Sequence, residues 1–138
     1  MNNKEDCIFC KIAKGEIPCM KIAETKDFLA FLDIKPISKG HTLIIPKHHC
    51  ENILDFPKSE ESDFVEFIKK VSAQVKKGVS ADAFNLGMNN GAEAGQVVFH
   101  SHMHIIPRFK GDGLRSWPNK DVSKEELEKI HKNITSQI

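Results

Sequence analysis

Three of the chain's seven histidines fall in one short run, His100-Ser101-His102-Met103-His104-Ile105-Ile106. In a β-strand alternate residues share a face, about 6.5–7 Å apart, so His100, His102, His104 and Ile106 would point one way. Ser101, Met103 and Ile105 would point the other. A single histidine is more often a satisfied core or surface side chain, but three at strand period indicate chemistry. Imidazole titrates near pH 6.5, so much of it is neutral at pH 7. Neutral imidazole is a nucleophile that can form covalent intermediates, and a neighbouring imidazole can orient it or move its proton. The rival chemistry is a catalytic metal, because a His-x-His pair on a strand can chelate zinc.

Two other groups of residues bear on that choice. Asn89-Asn90-Gly91-Ala92-Glu93-Ala94-Gly95-Gln96 offers amide side chains and flexible backbone N–H groups just upstream. Such donors suit a phosphate oxyanion; the alternative is an ordinary Asn-Gly hairpin turn. The second group is the C-x-x-C pair Cys7-Ile8-Phe9-Cys10. It reads as a redox pair or as half of a zinc site. A redox pair is expected after a strand within a βαβ unit, and no strand precedes this one. Zinc is therefore preferred, with two further ligands still to be found. The remaining cysteines, Cys19 and Cys50, read as buried small hydrophobes.

The elements that must hold these groups follow from hydrophobic period and punctuation. A helical turn is predicted over 8–14 and strands over 19–24, 27–34, 42–45, 83–89 and 98–108. Phe28-Leu29-Ala30-Phe31-Leu32 is apolar on both faces and should be buried on both. A short helical turn is expected over 51–55. The clearest helix is 60–77, where Phe64, Phe67, Ile68, Val71 and Val75 make one face, with Ser59 as its cap. Residues 110–122 read as loop, and Ser123-Lys124-Glu125-Glu126 is a capping box that opens a last helix with Leu127, Ile130 and Ile134 on one side. About five strands joined by short turns, with two main helices, predict one α+β domain over 1–138 with an antiparallel sheet.

Composition limits the partners. The chain carries 20 Lys+Arg against 19 Asp+Glu, a formal charge of +1, which argues against nucleic acid as the main partner. With 40% apolar residues it can build a core. No apolar run reaches the roughly 20 residues needed to span a bilayer. The first residues lack the apolar stretch of a secretory signal, so a cytoplasmic location and reduced thiols are expected.

Taken together, the motifs resemble the histidine triad (HIT) family. Its signature is His-φ-His-φ-His-φ-φ, with φ an apolar residue; Ser101 departs at the first φ. Gly95-Gln96, Pro107-Arg108, the segment from Cys7 to Ile12, Ala30-Phe31-Leu32-Asp33-Ile34, and the segment from Gly40 to Lys47 also fit, so the resemblance covers about 7–108. The chain looks most like the zinc-containing bacterial Hit proteins of the Hint branch. That resemblance implies a homodimer joining two half-sheets, and hydrolysis or transfer at the α-phosphate of nucleotides. His102 matches the nucleophile. His104 and His41 match the residues that contact the phosphate and orient the nucleophile. Asn89, Gln96 and Val97 match the phosphate loop, and Asp33 matches the acid that accepts the ribose hydroxyls. Ile8, Phe9, Phe31 and Ile34 match the apolar walls around the base; plain core is the alternative for each. The resemblance also implies a structural zinc ion on Cys7, Cys10, His49 and His100, with His48 or Cys50 as competing ligands. Val97 stands where many relatives carry Ser or Thr, and Trp117 could reach a partner's site. The implied substrate is a purine nucleoside phosphoramidate. Alternatives are a dinucleoside polyphosphate, as in the Fhit branch; a nucleotide-binding regulator with vestigial catalysis; and a hydrolase with zinc on the histidine row.

Overall fold

The computed structural model describes residues 4–137. Strands β1 (Lys21–Glu24), β2 (Phe28–Leu32), β3 (Thr42–Pro46), β4 (Ala83–Gly87) and β5 (Met103–Arg108) form one sheet in the order β1-β2-β3-β5-β4. Every neighbouring pair is antiparallel. The α+β architecture expected from the sequence is therefore the architecture found.

The continuous apolar runs of β2 and β3 have a direct cause. Phe28, Ala30 and Ile44 face one core, together with Ile105 of β5. Leu29, Phe31, Leu43 and Ile45 face another. Both faces of the central strands are covered, so both alternating sets must be apolar. Helix α2 (Glu61–Gly78) covers the first face with Phe64, Phe67, Ile68, Val71 and Val75. The ring of Phe28 packs 5.3 Å from that of Phe64 and 5.8 Å from that of Phe67. The short helix α1 (Ile8–Ala13) brings Phe9 onto the second face.

Several boundaries differ from expectation. Ser59 does not cap α2; it lies in a 3-10 turn, Lys58–Glu60, and the helix opens after Glu60 without a side-chain cap. Pro46 belongs to β3, which is allowed because the β3–β5 ladder has already ended at Ile44 and the next bond on the β2 side comes from the Lys47 N–H, so no pairing bond needs a donor at Pro46. The chief difference is β5, expected over 98–108 but beginning only at Met103. β3 pairs with β5 no further than Ile44 opposite Met103, and the Ser101 N–H turns instead to the Cys50 carbonyl, 2.7 Å away. His100 and His102 therefore precede the strand, and strand alternation governs only His104 and Ile106.

The last helix, α3 (Lys124–Thr135), is capped by Ser123, whose hydroxyl accepts the Glu126 N–H at 3.1 Å. Its Leu127, Ile130 and Ile134 do lie outside any core of this chain, as do all of residues 113–137. No helix among the described residues is long and apolar enough to cross a membrane.

Candidate active site and metal centre

The histidine run is buried where the sheet meets α1. The Phe9 ring stands edge-on to both His100 and His102, with centroids 5.9 and 5.1 Å away. His102 and His104 lie with ring centroids 5.0 Å apart, and His41, at the entry to β3, closes on His104 at 5.1 Å. His41, His100 and His102 are almost fully buried. Burial holds all of them in the neutral form: the pKa values of His41 and His102 are lowered, and those of His100 and His104 are pushed down to about 4.

Hydrogen bonds fix which ring nitrogen carries the proton. His102 Nδ1 is 2.7 Å from the His100 carbonyl. A carbonyl only accepts, so Nδ1 holds the proton and Nε2 keeps a free lone pair. His41 Nδ1 accepts the Ile37 backbone N–H at 3.0 Å, so its proton sits on Nε2. That Nε2–H meets His104 Nδ1 at 2.9 Å, which leaves His104 with an Nε2–H to donate. One neutral imidazole thus offers a nucleophilic nitrogen, and its neighbour offers a donor.

The surrounding groups suit a phosphate ester or amide. Asp33 Oδ2 lies 3.7 Å from His41 Nε2, and its Oδ1 is oriented by the Lys35 N–H at 2.8 Å. Residues 89–96 are not a tight hairpin. They contain a 3-10 turn, Ala92–Ala94, flanked by Gly91 and Gly95 at φ +98° and +96°. The Gln96 side chain is fully engaged: Oε1 accepts the Gly91 N–H, and Nε2 donates to the carbonyls of Glu51 and Val98. It braces the loop, so the donors left to a ligand are backbone N–H groups and Asn89, whose Nδ2 makes one long bond of 3.4 Å to Gly95 O. Val97 is exposed. Phe9 and Phe31 are core residues in edge contact at 5.8 Å, whereas Ile8 and Ile34 are exposed.

A second cluster gathers behind the first. Cys7 Sγ is 3.4 Å from His100 Nδ1, and Cys10 Sγ is 3.4 Å from His49 Nδ1 and 3.5 Å from His100 Nδ1. His100 Nε2–H donates to the Pro46 carbonyl at 2.8 Å, so its Nδ1 lone pair faces the sulfurs. His48 is not part of this set; its Nδ1 lies 3.3 Å from Glu60 Oε2. Cys50 is also outside it, buried as a thiol with its pKa pushed up to about 12.

Comparison with known proteins places the chain in a family. A family model described as the HIT domain matches residues 14–111. The chain belongs to the HIT family. An adenosine 5'-monophosphoramidase of Schizosaccharomyces pombe is 44% identical over 134 residues, covering 96% of this chain and 98% of that protein. A crystal structure of a Streptococcus mutans protein superposes with a TM-score of 0.91 at 37% identity, covering 99% of this chain and 87% of the other. A zinc-bound histidine triad family protein from Mycobacterium smegmatis superposes at 0.75 with 33% identity, covering 96% and 98%.

The four residues expected as zinc ligands in this HIT protein fit a closed tetrahedral site. Zn–S near 2.3 Å and Zn–N near 2.0–2.1 Å put neighbouring S and N ligands about 3.5 Å apart, which matches the three sulfur–nitrogen spacings. Asp33, His41 and His104 also approach one another closely enough to hold an ion. They fit one poorly, because the Ile37 N–H occupies His41 Nδ1 and forces the proton onto the nitrogen that would ligate. The backbone groups that make this distinction, at Ile37, Pro46 and His100, carried no signal in the sequence.

Proposed function

We propose that this HIT protein is a nucleotide hydrolase that cleaves purine nucleoside phosphoramidates through a nucleotidyl-histidine. The observation that carries the reading is the free Nε2 of His102, left bare by the Nδ1–H bond to its own run's backbone. His102 Nε2 attacks the α-phosphorus. The P–N bond breaks as the N–P bond forms, and the amine leaves with a proton taken from solvent. Water then displaces His102 and releases the nucleoside monophosphate. His104 Nε2–H, backed by His41, donates to a phosphate oxygen as charge develops there. The Val97 backbone N–H, with Asn89, supplies the remaining donors, on a loop closed by the Gln96 N–H bond to the Gly91 carbonyl at 3.1 Å. Asp33 accepts the ribose hydroxyls, which a carboxylate does well. Ile8 and Ile34 are open to the base, with Phe9 and Phe31 beneath. The name of the fission-yeast relative supports the substrate class. Val97 supplies no hydroxyl beside the phosphate, so leaving-group handling rests on the other donors.

Zinc would sit on Cys7, Cys10, His49 and His100 as a structural ion. It would tie α1 to the end of β3 and to the histidine run, holding His100 out of the reaction. The working unit is a homodimer of single-domain chains in the cytoplasm. What supports the dimer is the exposed edge strand β4, with Phe84 and Leu86 uncovered, and a terminal arm with no core of its own. The arm also carries Trp117, which is 91% exposed.

The test is turnover of an adenosine phosphoramidate by wild type and His102→Ala, with zinc content measured in both. Loss of turnover with unchanged zinc is the expected result. A variant that kept most of its rate would overturn the mechanism, and a wild type without turnover would overturn the substrate class.

A further inference from the structure

The tautomer of the His41–His104 pair depends on one backbone donor, the Ile37 N–H, held in a short loop between β2 and β3. That loop is a turn closed by the His41 N–H on the Ser38 carbonyl at 3.1 Å. Gly40 occupies its third position at φ +89°, a conformation favoured by glycine. The loop is tied to the rest of the molecule by the Ser38 hydroxyl, which donates to the Pro107 carbonyl at 2.7 Å. The β3–β5 ladder runs from Ile44 opposite Met103 only as far as Thr42 opposite Ile105. Beyond it Pro107 has no β3 partner for its carbonyl, and the Ser38 side chain takes the place of the missing strand bond.

We infer that Ser38 is a positioning residue: its clamp on Pro107 aims the Ile37 N–H at His41 Nδ1 and so keeps His104 as a donor through Nε2. The inference rests on the reading that His104 donates to the phosphate. Without the clamp the loop can swing, and His41 Nδ1 loses the partner that excludes a proton from it. His41 can then carry its proton on either nitrogen. When Nδ1 is protonated, His41 Nε2 becomes an acceptor, His104 must place its own proton on Nδ1, and the donor toward the phosphate is lost. Ser38 touches neither the substrate nor the reacting nitrogens; it acts through Ile37 and His41.

The test combines ¹⁵N NMR of the imidazole nitrogens in resting protein with steady-state kinetics. In wild type, His41 should show a bare Nδ1 and a protonated Nε2, and His104 a bare Nδ1. Ser38→Ala should give mixed tautomers at both residues and a kcat lowered on the order of 10-fold with KM little changed. Ser38→Thr, which keeps the hydroxyl, should restore both. Ile37→Pro removes the donor itself at an exposed side chain, and should give the same mixture even if Ser38→Ala folds poorly. A single wild-type tautomer in folded Ser38→Ala, or in Ile37→Pro, would overturn the inference, whatever the rates. The spectra need no substrate, so failure of the proposed activity would leave this result readable.

Discussion

Acid should weaken this fold through its buried histidines, and His104 lets the effect be isolated. Its pKa falls from 6.5 to about 4, chiefly by burial and then by the neighbouring His102 and His41. The sign follows from linkage. The unfolded chain takes up a proton below about pH 6.5, whereas the folded site resists until about pH 4. Stability is therefore complete above pH 6.5 and is lost as the pH falls toward 4. Between pH 7 and pH 5 a shift of this size amounts to about 2 kcal/mol. The comparison is urea unfolding of wild type and His104→Gln at both pH values. The variant keeps the Cys7, Cys10, His49 and His100 cluster, so contributions from that cluster cancel in the difference. With a slope of about 2 kcal/mol per molar urea, the wild-type midpoint should fall about 1 M further than the variant's. Equal falls in the two proteins would refute the assignment of a neutral, half-buried His104.

Other consequences can be checked in parallel. Purified protein should contain about one zinc ion per chain by atomic absorption, and Cys10→Ser should lose it and melt well below wild type; metal-free protein with unchanged melting would exclude the site. Gly40→Ala should cost about 1–3 kcal/mol, read by thermal unfolding, because its Cβ would stand 2.8 Å from Val79 Cγ1 at a φ of +89°. Leu86→Lys, on the exposed face of β4, should move the protein from dimer to monomer in light scattering; a variant of unchanged mass would remove β4 from the interface.

Much of the fold was legible because β2 and α2 leave little choice. A five-residue run apolar at every position is a central strand covered on both sides, and the spacing from Phe64 to Val75 is one helix face. The errors arose where side-chain pattern and backbone pairing separate. His100, Ser101 and His102 alternate as a strand would, but the Cys50 carbonyl captures the Ser101 N–H and ends the ladder early. Ser59 has the right chemistry for a cap, yet the 3-10 turn at Lys58–Glu60 moves the helix start past it. Both depend on backbone contacts distant in sequence or on a local turn that composition does not specify.

The site shows the same division more sharply. Residue types and spacing marked the histidine row and the C-x-x-C pair, and the resemblance to the HIT family completed them with His41 and His49, assigning one cluster to metal and the other to a nucleophile and its donors. Neither types nor spacing could tell which nitrogen of each ring is bare. That is decided by three backbone groups: the Pro46 carbonyl on His100 Nε2, the His100 carbonyl on His102 Nδ1, and the Ile37 N–H on His41 Nδ1. The first leaves a lone pair facing two sulfurs, as a metal site requires. The second leaves a lone pair on His102, as a nucleophile requires. The third places a proton where a metal would need a lone pair. One kind of side chain is thereby divided among three tasks by the polarity of its backbone partner, so a loop substitution that moves such a partner should change the chemistry without touching a histidine.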